Sequence, residues 1–245
     1  MALTREGTIG YFHGQGDGRR QYGSERFVAR RHPDGQRTLV ATCEIDAGVV
    51  ADRHVLREVI YTMDATLHPA DCFVRLHRNG TFLGSGWFLF SPGLAECEAV
   101  NAEQGRFSQR ITTQGRTPSF GAHALVCDMT HLARFDHGLS QRVQPIQGAI
   151  LSSLEHDGCS GPLLSPVDFA IEYVGQERIE VPAGEFETDH YRILLDGGRL
   201  SEHPTEELWC LPDEFTFVRV RVGGYMNSSF ELMEYRETGD VAPVP

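Results

Sequence analysis

The chain has 245 residues, of which 40% are hydrophobic and 23% charged, and a net charge of −12. This composition excludes wholesale disorder, and the acidic balance argues against the basic face that non-specific nucleic-acid binding needs. No stretch approaches the ~18 apolar residues of a membrane helix, and the start MALTREGTIG lacks a signal-peptide pattern, so a cytoplasmic location with no nucleic-acid or membrane partner is expected.

Residues 1–23 are rich in glycine and read as a flexible leading segment, in which Gly14-Gln15-Gly16-Asp17-Gly18 lacks the strand–helix context of a phosphate loop. Gln21 to His32 and Gln36 to Ile45 read as strands joined by a Pro33-Asp34-Gly35 turn. The central run, Val55 to Gln114, reads as consecutive returning strands: Leu56–Asp64, Asp71–His77, Thr81–Phe90, Glu96–Val100 and Arg106–Thr112. Asn79-Gly80 marks a hairpin, because both central residues of a type I′ turn take positive φ. Alternation places Leu56, Glu58, Ile60 and Thr62 on one face and Arg57, Val59, Tyr61 and Met63 on the other. Several faces mix charge with apolar residues, which suits either a polar-lined cavity or cross-strand ion pairs on a solvated face.

Ala122 to Phe135 has helical spacing, with Leu125, Met129 and Leu132 on one stripe, and is the single helix expected. Residues 137–166 read as mostly irregular, a lid, binding loop or connection. The β pattern resumes over Asp168–Glu180, Phe186–Leu195, Glu207–Leu211, Phe215–Val222 and Ser228–Tyr235, and a polar tail from Glu237 to Pro245 is expected to fray. The six cysteines are widely spaced, form no C-x-x-C pair and read as buried free thiols. One domain is expected over residues 1–245: mainly β, an antiparallel barrel or strongly curved sheet around one cavity, with one main α-helix.

Val181, Pro182, Ala183, Gly184 and Phe186, followed by Trp209-Cys210-Leu211-Pro212, resemble a turn-and-strand pattern of the DUF3108-like proteins. The resemblance covers roughly residues 168–235, about a quarter of the chain, and implies a curved antiparallel sheet like a lipoprotein-carrier half-barrel. The first half more loosely resembles lipocalin-like enzymes, on architecture only.

His123 stands between a Pro/Gly-bearing loop and the expected helix, a position suited to a general base; a helix-start histidine with a local hydrogen bond is the plainer alternative. His123, Cys127 and His131 share a helical stripe, but about 12 Å of helix axis separates the two histidines, too far for one ion, so no metal is expected. Glu96 and Glu98 lie two apart on one strand, roughly 6–7 Å from each other. In a desolvated pocket they supply an acid or base; on a solvated face they pair with Arg75 or Arg110. Those arginines can hold an anionic group in bidentate fashion. Tyr61, Trp87, Tyr173, Trp209 and Tyr225 are candidates to line an aromatic pocket, although strand aromatics often serve as plain core. Ser160, in Gly158-Cys159-Ser160-Gly161, lacks a nucleophile-elbow context.

The expectation is therefore a cofactor-independent lyase or isomerase acting by proton transfer on a small apolar, aromatic compound. His123 would be base, Glu98 with Glu96 the acid or orienting group, and Arg75, Arg110, Tyr61, Trp87 and Tyr225 would hold substrate. The alternatives are a non-catalytic binder of a hydrophobic small molecule and an assembly protein. A homodimer is a candidate state.

Overall fold

The computed structural model describes residues 3–48, 53–195, 203–212, 214–224 and 226–239. The strands are β1 (Leu3–His13), β2 (Arg20–Arg31), β3 (Arg37–Ile45), β4 (Val55–Met63), β5 (Pro69–Arg78), β6 (Thr81–Ser91), β7 (Leu94–Asn101), β8 (Gly105–Thr112), β9 (Phe120–Gly121), β10 (Val143–Leu151), β11 (Ser165–Val181), β12 (Gly184–Leu194), β13 (Glu206–Leu211), β14 (Thr216–Val222) and β15 (Ser228–Thr238). Among the described residues the one α-helix, α1, spans Leu125–Asp128. All fifteen strands belong to one sheet, ordered β8-β7-β6-β5-β4-β3-β2-β1-β15-β14-β13-β12-β11-β10-β9. Neighbouring strands pair antiparallel except β9 and β10, which are parallel, and the first and last strands meet at the centre, with Gly7 opposite Tyr235 and Tyr11 opposite Phe230. The fold is the expected mainly antiparallel, barrel-like sheet.

The sheet curls so that both wings face one interior, because each strand alternates buried and exposed side chains. In β4, Val55, Arg57, Val59, Tyr61 and Met63 point inward while Glu58 and Ile60 point out. The wings do not close into a barrel: among the described residues β8 and β9 do not pair. The loop after β10 crosses this seam. Leu164 N–H donates to Gln109 Oε1 on β8 at 2.9 Å. Pro162 presses on Gly84 and Gly86 of β6, where a Cβ would come within 2.9 Å of the ring.

Four expectations are corrected. The described part of the leading segment, residues 3–23, is not a flexible lead-in: β1 is central to the sheet, and its Gly7 is required because a Cβ there would lie 2.5 Å from Glu234 O. The helix is shorter than its periodicity suggests. Ala124 is extended and His123 takes φ +56°, so one α-turn is followed by a 3-10 segment, Met129–Arg134. Residues 143–151, expected to be irregular, form β10; Pro145 is tolerated because β10 shares only two residues with short β9 on its other side. Of the tail expected to fray, Glu237 and Thr238 belong to β15, and Glu237 pairs with Arg5 at 2.7 Å; residues 240–245 lie outside the described residues. All six cysteines are buried, as expected.

α1 is tied to the sheet by a side chain far away in sequence. Its own N-cap, Ala124, has no side-chain acceptor. The fully buried Glu25 of β2 takes that place, accepting the N–H of Leu125 at 2.8 Å and of Val126 at 3.0 Å and the hydroxyl of Tyr11 at 2.7 Å. Burial pushes the Glu25 carboxyl up, and these donors, with the Cys43 thiol, pull it back. Glu25→Ala should cost roughly 3 kcal/mol or more in urea unfolding, since each buried N–H left without an acceptor costs about 1–3 kcal/mol. Glu25→Gln, which keeps an acceptor oxygen, should lose less.

Candidate functional site

Between the wings lies a cavity of about 160 Å3. Its walls are mostly apolar and come from both wings: Tyr11 and Tyr22 from one side, Phe169, Leu208, Val220 and Phe230 from the other. At one side the lining turns polar, with Arg57, His123, Asp128, His131, Asp157 and Glu206. A concave, apolar pocket with a few convergent polar groups is the form small-molecule sites take.

Arg57 is 2% exposed, on a strand face otherwise made of Val55, Val59, Tyr61 and Met63. Its guanidinium donates to two backbone carbonyls, those of His123 and Asp157, and its Nε is buried without an acceptor. Gly158 packs flat on it, at φ +70°, where no Cβ fits beside the guanidinium. Asp157 turns its carboxylate to Arg53, at 2.6 Å, so its charge is spoken for. Burial would raise the Asp157 carboxyl, but the Cys159 N–H and Arg53 outweigh it and hold it low.

His123 Nε2 meets the Ser153 carbonyl at 2.9 Å, so Nε2 carries the proton and donates. Burial, then the nearby Arg57, pushes this imidazole down to about 3. His131 is 5% exposed, its Nδ1 has no partner, and its ring packs edge-on against Phe169 with centroids 5.3 Å apart. Burial pushes it down to about 4. Burial drives the Asp128 carboxyl the other way, well up, with Glu206 and Glu25 adding repulsion, and burial also raises Glu206. His123 and His131 are thus held neutral and Asp128 and Glu206 are biased toward their protonated form, while Asp157 stays ionised against Arg53.

Of the described residues among those expected to act, only His123 lines this cavity. Glu96 and Glu98 are corrected: they sit on the outer face of β7, opposite the buried Ala95, Cys97 and Ala99. There Glu96 pairs with Arg110 at 2.9 Å, and Glu98 accepts the Ser108 hydroxyl at 2.7 Å. Arg75 is exposed on the same outer surface opposite Glu58, and Trp87 is 48% exposed. Tyr61 points inward but is core, against Phe120 at 6.0 Å between centroids. Tyr173 packs on Tyr191, and Trp209 stacks on His190. Ser160 Oγ is engaged by Ser153 Oγ and the Leu154 N–H. Tyr225 lies outside the described residues. Among the described residues no three His, Cys, Asp or Glu side chains could share a metal ion, and no helix is long and apolar enough to cross a membrane.

Arg57, Asp128 and Glu206 escaped sequence reasoning. Arg57 did leave a signal, as the single charge on an alternation of apolar residues.

No protein-family model matches the chain, and no curated protein matches it. Among solved structures it is similar to a β-barrel-like protein of a domain of unknown function, DUF1849, from Brucella abortus. The TM-score is 0.58 at 10% sequence identity, covering 98% of this chain and 99% of that one. At that identity the likeness shows the fold alone.

His131 should stay neutral down to about pH 4 in an NMR titration. Its unfolded value is near 6.5, so the unfolded chain binds the extra proton between those limits. Stability supplied by the neutral ring is complete above about pH 6.5 and is lost as pH falls toward 4, by up to about 1.4 kcal/mol per pH unit. His131→Gln should flatten that dependence.

Proposed function

We propose that the protein binds a small, largely apolar, aromatic molecule in the cavity between the wings. The observation that carries this reading is a buried imidazole, His131, facing an apolar cavity with its Nδ1 unpartnered. An unmet polar atom costs about 1–3 kcal/mol, and a guest with a hydrogen-bonding group recovers it. A cavity of about 160 Å3 is of the size that holds a benzene-like ring.

A second reading, a cofactor-independent enzyme acting by proton transfer, draws on the opposed titrations. Carboxyls pushed up beside imidazoles pushed down are the arrangement that separates acid from base. Asp128 would donate and His131 accept. Binding stands first because of magnitude. Protonating a ring whose pKa is about 4 at pH 7 costs roughly 4 kcal/mol, and more for His123. Such rings are good hydrogen-bond acceptors and weak bases.

Calorimetry or ligand-observed NMR with toluene and phenol tests the reading. Both should bind, phenol more tightly because its hydroxyl can serve His131. Val220→Phe, which fills the cavity from β14, should abolish binding of both while the circular dichroism stays unchanged. Failure of every such guest at millimolar concentration would sink the proposal.

A further inference from the structure

We infer that Arg57 is an anion-recognising residue of this cavity, and that the preferred guest is a small carboxylate with an apolar, benzoate-like body. The inference rests on the cavity being a ligand site and goes on to name the chemistry of the ligand's head.

The argument begins with charge. Among the described residues two arginines are deeply buried, Arg5 and Arg57. Arg5 is neutralised by Glu237 at 2.7 Å and Glu214 at 3.6 Å. Among the described residues Arg57 has no carboxylate partner; both its acceptors are neutral carbonyls. A buried cation without a counter-charge is costly, and the usual remedies are an ion pair or a bound anion.

The nearby acids are otherwise engaged. Glu25 is occupied by Tyr11 and two helix N–H groups. Asp157 is committed to Arg53. Asp128 accepts the Ala122 N–H at 3.1 Å, and Glu206 stands 3.6 Å from His203. Burial biases Asp128 and Glu206 toward neutrality, so they leave the positive charge of Arg57 largely unanswered.

Geometry supplies the rest. A guanidinium offers five N–H donors in a planar fork, and the two carbonyls, on Nη1 and Nη2, occupy only part of it. The fork is held still on one side by Gly158 and the two carbonyls, which lowers the entropy lost when an anion docks. Arginine and carboxylate fit in parallel, charge-assisted hydrogen bonds. The remaining walls, Tyr11, Phe169, Leu208 and Phe230 among them, suit an uncharged body. A cavity of about 160 Å3 restricts that body to one ring or a short branched chain.

The experiment compares toluene, benzoate and benzylammonium, three guests of one shape and three charges, by calorimetry on the full chain at pH 7. Benzoate should bind at least tenfold more tightly than toluene, and benzylammonium more weakly than toluene. Arg57→Met should remove the advantage of benzoate over toluene. Arg57→Lys should retain part of it. If the Arg57 variants do not fold, the charge series on the unaltered protein decides by itself. Toluene binding with no preference for benzoate would overturn the role of Arg57 and leave the cavity reading standing. Absence of binding by all three and by phenol would overturn both.

Discussion

Glu25 lies at 0% exposure on β2, and its carboxylate takes a tyrosine hydroxyl and the two leading N–H groups of a helix a hundred residues further on. Four residues of α-helix have no stability of their own. They hold their place because an acceptor projecting from the sheet satisfies donors that would otherwise be buried unmet. The turn before α1 then places the His123 carbonyl on Arg57, and the segment after it carries His131 toward Phe169. The polar side of the cavity is therefore assembled on one interaction between β2 and α1.

The sheet sorts chemistry by face. On the outer surface of β4 to β8 the charged residues find each other across strands, as Glu96 does with Arg110, and solvent screens what remains. A row of directly opposed apolar residues, Ile60, Phe73 and Trp87, crosses that same surface. On the inner surface charge is scarce and each case has a partner or a consequence. Arg57 is the case with a consequence, since neutral carbonyls alone receive it.

Desolvation gives the cavity its character. The same loss of water holds His123 and His131 neutral and pushes Asp128 and Glu206 toward protonation. The polar groups act there as hydrogen-bonding sites more than as charges, and the guanidinium supplies the site's cation. Under the proposed binding role, such a surface would recognise a guest by its head group and size.

Much of the architecture was legible from residue order alone. Strand positions follow from period-two alternation, hairpins from Asn79-Gly80 and Pro33-Asp34-Gly35, and the single helix from the Leu125, Met129 and Leu132 stripe, all local properties of neighbouring residues. The same alternation put Glu96 and Glu98 on one face but could not say which face was inside, because that depends on what packs against the sheet. β1 was hidden for a similar reason. Its glycines resemble a flexible segment until Glu234 and Phe27 are brought against them. The meeting of Arg57 with the carbonyls of His123 and Asp157 spans 66 and 100 residues. Local sequence determined which segments are strands and which side chains share a face. Only the curl of the sheet decided which face loses water, and with it which charged residue stands in an apolar cavity without a counter-charge.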